Sequence, residues 1–444
     1  MTIEVKNEIN YAALVIEVPE PKKLPNSDRL YGIGVAGIEV VVDSSWLERV
    51  GEKAVLFPAE SQLSHPLAAY AGLYRHAELN DDPEQVGYLG DNRRIRPLKL
   101  RGNMSKGLIL PVEKVAAVTN MHSDLFEVGQ SFDTVNGIEV SRKFLLPTKG
   151  VPQSKEAAKL AKAFKRVDEK VFPMHIDTEF YERNEGHVQD DDIVIVTQKL
   201  HGTSVRFGNV PVKVEHTFWE RVAKKLGIRV RDHEYDLIAG SRKVIKDPKS
   251  TTQNHFYASD VWTKAALDYG QNLPKGFMVF GELVGYTADG GAIQKGYTYE
   301  EVLDVDAREN AGSSSLYVYR VAIVNEDGVL RDLSWDQVRK FAYTYGLKHT
   351  PELWRGPKLA LSLEKFAEKN FHDEWASAFR GEEYTSGYLD QPVALSAGGT
   401  GKDEGIVLRV DRGGDVPYLL KYKNDSFYLH EAEELDKGEE TIEA

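Results

Sequence analysis

The clearest apolar pattern in the chain is a run of β-branched residues that ends at a lysine. Residues 193–197 are Ile-Val-Ile-Val-Thr, a composition typical of a buried strand. Lys199, His201 and Gly202 follow, and glycine is typical of a turn. Side chains two positions apart on an extended backbone point to the same side, so we expect Lys199 and His201 to face one common space. That space is the first candidate site.

The rest of the chain divides by its pattern into four parts. Over residues 1–150, short apolar runs such as KAVLFPA and KGLILPV alternate with Gly, Pro, Asn and Asp, which predicts a small β-barrel or sandwich. Residues 151–173 carry alanine, lysine and leucine at helical spacing and predict a linker helix. Over 174–430, strands and helices intermix without regular alternation, which predicts an α+β domain. Residues 431–444 are predicted to form a solvated acidic tail.

Length and composition agree with a globular protein of two or three domains. The 444 residues are 41% hydrophobic and 28% charged. The apolar run near the N-terminus is interrupted by Glu17 and has no basic segment before it, so we expect no signal peptide, no membrane span and a cytoplasmic location. Cysteine is absent, which excludes disulfides, thiolate zinc sites and cysteine nucleophiles.

Charge is distributed unevenly. The net charge of −13 argues at first against a nucleic-acid partner. However, residues 431–444 alone contribute seven carboxylates and one lysine, whereas residues 91–106 hold six basic residues and one acid. The basic stretch is either a nucleic-acid-binding face or a solvated strand edge. Its candidate contact residues are Arg94, Arg96, Lys99 and Arg101.

Four further segments carry charge in apolar surroundings: GSRK (240–243), VFGELVG (279–285), EGIVLRV (404–410) and YLLKYKN (418–424). In the last of these, Lys421 and Lys423 lie two positions apart, and two ammonium groups on one face are more stable with an anion such as phosphate between them. Glu282 and Glu404 lie in strand-like apolar runs, where a carboxylate needs a cation, a metal or ligand hydroxyls.

Each of these residues alone also has an ordinary structural explanation. A lysine is often solvated, a histidine often caps a turn, and a buried glutamate often belongs to a salt bridge. Together they suit one chemistry, in which a lysine held among other lysines and a metal-binding carboxylate attacks the α-phosphate of a nucleoside triphosphate.

The motifs, in this order, resemble those of the covalent nucleotidyltransferases, which comprise ATP-dependent RNA and DNA ligases and mRNA capping enzymes. KLHGTS resembles the nucleotide-attachment motif of this superfamily in its RNA-ligase form. The segments FGELVG, LYVYRVAI (316–323), EGIVLR and LKYK resemble the motifs that follow it in the superfamily. The basic segment and the β-rich region around it are similar to the N-terminal OB-like domain of an RNA-ligase branch that seals nicks with an RNA 3′-hydroxyl end. The resemblance implies an OB-like barrel followed by a nucleotidyltransferase domain of antiparallel sheets with flanking helices.

The resemblance also implies roles for single residues. Lys199 would carry AMP, His201 would lie near the α-phosphate, and Glu404 would position Mg²⁺ or Mn²⁺. The remaining nucleotide-binding residues would be Gln198 and Tyr319 at adenine, Glu282 at the ribose, and Arg242, Lys421 and Lys423 at phosphates. The implied activity is ATP-dependent joining of RNA 3′-hydroxyl and 5′-phosphate ends, and we expect a monomer.

Two alternatives stay open. A capping-type enzyme would use GTP on the same lysine, and a degenerate relative would bind nucleic acid without catalysis.

A charged insertion, residues 212–236, separates the KLHGTS segment from GSRK more widely than the family resemblance leads us to expect. Within it Trp219, Val222 and Leu226 are spaced as one face of a helix.

Overall fold

The computed structural model describes residues 2–146, 166–249, 260–299, 313–363, 366, 388–395, 401–413 and 416–438. These residues belong to two compact units. The first comprises residues 1–147, 179–187 and 428–440, and the second comprises residues 148–178, 188–427 and 441–444. Within the described part of the chain, no helix is both long enough and apolar enough to cross a membrane.

The first unit is built from short strands and helices. Its strands are β1 (Ile3–Glu4), β2 (Ala13–Glu17), β3 (Lys22–Lys23), β4 (Leu30–Val35), β5 (Ile38–Asp43), β6 (Lys53–Pro58), β7 (Ser61–Leu63), β8 (Leu98–Leu100), β9 (Asn103–Ser105), β10 (Gly107–Pro111), β11 (Ser131–Phe132), β12 (Thr134–Val135), β13 (Ile138–Glu139), β14 (Ser141–Lys143) and β15 (Glu179–Phe180). Its α-helices are α1 (His65–Tyr70), α2 (Val112–Thr119) and α3 (Tyr181–Asn184), and its 3₁₀ turns are Ile9–Tyr11, Ser44–Arg49, Ala77–Leu79, Ser123–Leu125 and Glu185–His187.

The central sheet of this unit, in the order β10-β6-β2-β11, is antiparallel and buried on both faces. Val55 and Phe57 of β6 pack into one apolar cluster, and Ala54 and Leu56 pack into another on the opposite face. Burial on both faces explains why the segment 54–57 is continuously apolar instead of alternating.

The predicted OB-like barrel is not confirmed. The remaining strands form small separate sheets, in the orders β1-β12-β13, β3-β4-β5, β14-β7 and β8-β9, and no sheet formed by the described residues closes on itself. Strands of two to six residues cannot by themselves indicate which partner they will pair with, so the run of short strands predicted an all-β arrangement but not its closure.

The second unit contains two larger antiparallel sheets, which confirms the predicted α+β class. One has the order β19-β18-β17-β20-β21-β22, with β23 added in parallel to β21, and the other has the order β26-β25-β16-β24. The strands are β16 (Ile193–Lys199), β17 (Thr203–Lys213), β18 (His233–Gly240), β19 (Ile245–Lys246), β20 (Phe277–Gly285), β21 (Ser314–Val324), β22 (Leu330–Asp332), β23 (Lys348–His349), β24 (Glu352–Pro357), β25 (Gly405–Val410) and β26 (Tyr418–Lys423).

Helices cover one face of the larger sheet. The helices of this part of the chain are α4 (Phe218–Lys225), α5 (Val261–Tyr269), α6 (Trp335–Thr344) and α7 (Asp425–Asp436), with a 3₁₀ turn at Lys358–Ala360. Apolar residues of α5 and α6 form one cluster with Val205 and Phe207 of β17. The alternate residues of the same sheet, including Met278 and Phe280, pack with Phe172 on the other face. Alternation along β17 and β20 therefore separates a helix-covered core from the face that carries the candidate site.

Two predicted boundaries need correction. Residues 151–165 of the predicted linker helix lie outside the described residues, and residues 166–173 form no helix. The predicted solvated tail was wrong for its first residues, because α7 continues through Asp436 and buries Glu431 and Ala432. The acidic composition of the tail concealed the helical spacing of its apolar residues Ala432 and Leu435.

The prediction that Arg94 binds nucleic acid was also wrong. Its side chain is fully buried, and its guanidinium donates two hydrogen bonds of 2.8 Å to the two carboxylate oxygens of Glu60. A third hydrogen bond, of 3.1 Å, reaches Asp436 of α7. Arg96 also pairs with Asp436, at 2.8 Å, but 45% of its side chain is exposed. Arg94 is therefore part of the interior of the first unit.

This burial predicts unequal effects of two neighbouring substitutions. Arg94→Ser should lower the free energy of unfolding by about 3–5 kcal/mol, because it leaves the Glu60 carboxylate buried without its partner. Arg96→Ser is the matched control and should cost about 1 kcal/mol or less, because its pair is half-exposed. Urea unfolding monitored by fluorescence measures both. Equal effects of the two variants would contradict the assignment of Arg94 to the interior.

Candidate active site

Strand pairing brings three lysines of the second unit into one region. Lys199 at the end of β16 lies opposite Gly405 of β25, and Gly405 lies opposite Lys423 of β26. In the next row on the same face, Thr197 is aligned with Val407 and Lys421. Lys421 and Lys423 are both buried. The predicted sharing of one face by Lys421 and Lys423 thus extends across three strands to Lys199.

Glu404 is the negative charge among these lysines. Its Oε1 lies 2.6 Å from Nζ of Lys199, and its Oε2 lies 3.4 Å from Nδ1 of His201. Only 2% of the Glu404 side chain is exposed, against 21% for Lys199. Burial by itself raises the pKa of Glu404, but Lys199, the nearby His201 imidazole and Lys423 together lower it to about 2. Glu404 is therefore ionised throughout the physiological pH range.

Gly202 allows the chain to turn close to β20 of the larger sheet. A Cβ atom at this position would lie 2.2 Å from the carbonyl oxygen of Leu283, so no other residue fits without displacing the backbone. The backbone N–H of Gly202 donates a 3.0 Å hydrogen bond to Oε1 of Glu282 on β20. The glycine of the Lys-x-His-Gly motif thus joins the lysine-bearing strand to the carboxylate of a second motif.

Glu282 has the opposite protonation behaviour to Glu404. Its Oε2 accepts a 3.3 Å hydrogen bond from the hydroxyl of Ser204. Burial, opposed by Lys199 and reinforced by the charge of Glu404, raises the pKa of Glu282 to about 7. The two glutamates therefore differ because Glu404 contacts Lys199 directly whereas Glu282 contacts only weaker neutral donors.

His201 is held by aromatic residues. Its ring lies 4.4 Å from that of Tyr297 and 5.1 Å from that of Phe427, measured between centroids, and both contacts are edge-on. Its backbone N–H donates a 2.8 Å hydrogen bond to the hydroxyl of Tyr299. These contacts fix the imidazole beside Glu404, and its Nε2 makes no hydrogen bond to any described residue.

A pocket extends from Lys199 between the two sheets of this unit. The predicted residues Gln198, Lys199, Arg242, Glu282 and Tyr319 all line it. His201, Glu404, Lys421 and Lys423 belong to the cluster around Lys199 but are not among its lining residues. The pocket also contains residues that the motif analysis missed, namely His175, Arg320, Trp335 and Arg409.

His175 is the least expected of these pocket residues. Its Nδ1 shares a 2.7 Å hydrogen bond with the hydroxyl of Tyr319. Burial and the charges of Arg206, Arg242 and Arg320 lower the pKa of His175 well below its ordinary range, so the imidazole is neutral. No sequence signal indicated it, because a single histidine in an irregular segment carries no spacing pattern.

The side-chain amide of Gln198, which was predicted to bind adenine, is already hydrogen-bonded within the protein. Its amide oxygen accepts a 2.8 Å hydrogen bond from the backbone N–H of Val393, and its amide nitrogen donates another of 2.8 Å to the Val393 carbonyl. Both the oxygen and the nitrogen of the amide are therefore hydrogen-bonded, and Gln198 holds the segment around Val393.

Arg242, which was predicted to contact phosphate, forms an ion pair with Asp177. Its guanidinium nitrogen lies 2.7 Å from a carboxylate oxygen of Asp177, whose side chain is 78% exposed.

A comparison with family models identifies the family to which the residues of this site belong. Residues 192–423, more than half of the chain, match the model described as RNA ligase. The chain belongs to the RNA ligase family. The matched range contains every nucleotide-site and metal-site residue predicted from the motifs, from Gln198 to Lys423. Among curated protein sequences, no match was found.

Solved structures of other RNA ligases share the fold. A Naegleria gruberi RNA ligase with pyrophosphate is 16% identical, with a TM-score of 0.55 over 96% of this chain and 99% of that one. Variants of the Naegleria enzyme with ATP and Mn, and with AMP and Mn, are 15% and 16% identical, each with a TM-score of 0.54. They cover 97% and 94% of this chain, and 99% and 97% of their own. At these identities the likeness shows a common fold.

The raised pKa of Glu282 predicts a pH-dependent effect on the stability of this RNA ligase. A carboxyl with a folded-state pKa near 7, above its ordinary 4.5, stabilises the folded state at low pH and loses that contribution as pH rises through 7. Glu282→Gln avoids the buried charge. The variant should therefore melt at a higher temperature than the wild type at pH 8, with a smaller difference at pH 5.

Differential scanning fluorimetry at both pH values measures this effect. Glu326→Gln is the control, because Glu326 is exposed and shows no such burial. A difference between the Glu282 variant and the wild type that is the same at pH 5 and pH 8 would contradict the raised pKa.

Proposed function

We propose that this RNA ligase uses ATP to form Lys199-AMP, and then joins RNA 3′-hydroxyl and 5′-phosphate ends. The observation that carries the proposal is the position of Lys199. It is a partly exposed lysine that lines the pocket and contacts a buried carboxylate at 2.6 Å; Lys423 lies in its own row of the sheet and Lys421 in the next row. The Naegleria ligase variants with ATP or AMP support a nucleotide at the corresponding place in the fold.

The first step is nucleotide transfer to the lysine. Nζ of Lys199, after losing a proton, attacks the α-phosphorus of ATP; the new bond is N–P, and the bond between the α-phosphorus and the bridging oxygen breaks to release pyrophosphate. Lys421 and Lys423 supply positive charge for the triphosphate. Charge already fixed in place stabilises the transition state without reorganisation. His201, held by Tyr297 and Phe427, is positioned beside the reacting phosphate.

The other end of the pocket suits the nucleoside. Glu282, with its pKa near 7, is able to accept hydrogen bonds from ribose hydroxyls when ionised. Tyr319 offers an aromatic face to adenine, and its hydroxyl is tied to His175. Arg242 lines the same pocket and supplies a donor for phosphate. With the Gln198 amide held by Val393, we assign base contacts to Tyr319 in preference to Gln198.

Glu404 suits a divalent cation. It is ionised, and its Oε2 has only a long contact, of 3.4 Å, with Nδ1 of His201 among the described residues. The described residues contain no group of three or more His, Cys, Asp or Glu side chains arranged around one point. Mg²⁺ is commonly held by one or two carboxylates together with substrate phosphates, so Glu404 and the triphosphate would suffice to hold Mg²⁺ or Mn²⁺. When bound, the ion would supply positive charge beside the α-phosphate.

Two further steps complete the proposed reaction. AMP passes from Lys199 to the 5′-phosphate end of the RNA, with cleavage of the N–P bond and formation of a pyrophosphate linkage. The 3′-hydroxyl then attacks the 5′-phosphate, forms the phosphodiester and releases AMP. We propose a nick in a duplex with an RNA 3′ end as the substrate, on the resemblance of the N-terminal region to the nick-sealing branch.

The first unit supplies a basic surface for this substrate. Arg96, Lys99 and Arg101 are exposed, and Arg101 lies with Gly102 in the two-residue turn between β8 and β9. Both turn residues have positive φ, the conformation of the tight hairpin turn in which glycine is favoured. Arg101 also lines a surface cleft with Lys23 and Arg29. We assign phosphate contacts to these residues and no longer to Arg94.

The alternatives differ in the nucleotide that labels the protein. The full-length RNA ligase is incubated with Mg²⁺ and either α-labelled ATP or α-labelled GTP, then separated by denaturing electrophoresis. Covalent label from ATP alone supports the proposal. Label from GTP alone would indicate a capping-type enzyme, and no label from either would indicate a degenerate nucleic-acid-binding protein.

Replacement of Lys199 tests the attachment site. Lys199→Ala and Lys199→Arg should both abolish covalent labelling by ATP, because the alanine has no nucleophile and the guanidinium is a poor one. Circular dichroism should show the same secondary structure in both variants, but Lys199→Ala should melt at a lower temperature than Lys199→Arg, because it leaves the buried Glu404 without a cation. Lys340→Ala, an exposed lysine on α6, is the control and should label normally. Persistent labelling of the Lys199 variants would place the adduct elsewhere.

Removal of the basic surface tests the role of the first unit. Arg96→Ser, Lys99→Ser and Arg101→Ser together should leave ATP labelling unchanged but weaken binding to a nicked duplex. The slope of log affinity against log salt should fall by roughly one unit for each lost phosphate contact. Arg142→Ser, also exposed in this unit, is the control. An unchanged salt slope in the triple variant would mean that the RNA is bound elsewhere.

A further inference from the structure

The connection between β17 and β18 is much longer than the fold needs. A hairpin of two antiparallel strands is closed by about two to five residues, yet residues 214–232 lie between Lys213 and its partner His233. Helix α4 occupies this connection, which we call the hairpin loop. Among the described residues, the part of β17 beyond Gly208 pairs with no strand other than β18. The hairpin loop is therefore an addition at the end of the sheet.

The hairpin loop is folded by its own contacts. Thr217 and Glu220 form a capping box at the start of α4. The carboxylate of Asp232 accepts from Nε2 of His216 at 2.8 Å and from Nζ of Lys224 at 2.6 Å. Two of the three acidic residues in the hairpin loop are thus used to hold it together. A capped and cross-linked helix keeps its shape without burying a side chain in the sheet.

The two aromatic side chains of α4 are exposed, whereas Val222 and Ala223 are half-buried. None of its residues is buried. Trp219 is 76% exposed and Phe218 is 69% exposed, with ring centroids 5.6 Å apart, and Leu226 beside them is 73% exposed. A cluster of large exposed apolar side chains on a preformed helix is typical of a surface that binds a partner.

The hairpin loop that carries these rings also carries exposed basic side chains. Arg221, Lys225, Arg229 and Arg231 are all exposed. The hairpin loop carries five lysines and arginines against three carboxylates, in a protein whose net charge is −13. Of the three carboxylates, those of Glu220 and Asp232 are already bonded within the hairpin loop. Flat aromatic rings among cations match nucleic acid, whose bases stack on aromatic side chains and whose phosphates pair with cations.

The hairpin also connects this surface to the pocket. Ser204 near the start of β17 and Arg242 just after β18 both line the pocket. From Thr203 to Lys213 the strand extends over roughly 33 Å at about 3.3 Å per residue. An RNA that reaches the pocket would therefore meet the hairpin loop about ten or more nucleotides away from the joining site, at about 3.4 Å per nucleotide.

We propose that the hairpin loop binds an unpaired stretch of the RNA substrate at a distance from the joining site. Bases stack on Trp219 and Phe218, and phosphates pair with Arg221, Lys225 and Arg229. An unpaired stretch is required because the bases of a continuous duplex are stacked on each other and cannot reach a side-chain ring. The proposal rests on the proposed function, since it concerns the RNA on which that function acts.

The test compares two fluorescent nicked duplexes with the full-length protein. One ends flush, and the other carries an unpaired extension about ten nucleotides or more from the nick. Trp219→Ala should weaken binding of the extended RNA on the order of tenfold, the loss expected for one stacked base. Binding of the flush duplex should not change. Tyr343→Ala removes an aromatic ring that is 89% exposed on α6, and is the matched control.

Labelling of the same samples by α-labelled ATP separates this inference from the proposed function. If the wild type is not labelled by ATP, the proposed function fails whatever the hairpin loop does. If the wild type is labelled and Trp219→Ala binds the extended RNA as tightly as the wild type, only the inference is overturned, and the exposed rings then serve another partner such as a protein. Equal weakening on both duplexes also overturns it, because the contact would not depend on unpaired RNA.

Discussion

The ion pair between Glu404 and Lys199 is the contact on which the candidate site depends. Glu404 is buried, and burying a carboxylate is unfavourable unless a cation compensates for it. The ion pair therefore holds the end of β16 against the start of β25. It also fixes the row of aligned residues Lys199, Gly405 and Lys423 across β16, β25 and β26. Because the same carboxylate suits a metal ion, a cation bound with ATP would compete with the ammonium of Lys199 for it. Under the proposed function, the ion pair that stabilises the site would therefore also be one that nucleotide binding changes.

The two glutamates of the candidate site show how identical side chains acquire different pKa values. Despite its burial, Glu404 has a pKa of about 2 because Lys199 is in contact with it. Burial raises the pKa of Glu282 to about 7, and Lys199 and the hydrogen bond from Gly202 offset that rise only in part. One is a permanent negative charge and the other changes charge near neutrality. A charged group suits a cation, whereas one that ionises near neutral pH suits ribose hydroxyls. Glu404 precedes β25 and Glu282 lies on β20, so under the proposed function the metal ion and the ribose would be held from different sheets.

Local patterns predicted the elements of the site, and distant contacts determined the rest. The strand before Lys199, the helix around Trp219 and the shared face of Lys421 and Lys423 follow from residues close in sequence. Arg94 was misassigned because its partners Glu60 and Asp436 are 34 and 342 residues away. The same limit applies to the Gln198 amide, whose partner Val393 is 195 residues away. Whether a sheet of the first unit closes into a barrel also depends on pairing between distant strands, so short apolar runs were not enough to predict a barrel.

The central claim is that Lys199 becomes the carrier of AMP, and peptide mapping tests it most directly. The wild-type RNA ligase is incubated with ATP and Mg²⁺ without RNA, digested, and analysed by mass spectrometry under conditions that preserve the acid-labile N–P bond. The account predicts a single AMP adduct, on Lys199 in the peptide that contains KLHGTS. AMP on Lys421, Lys423 or any other residue, with Lys199 unmodified, would contradict it.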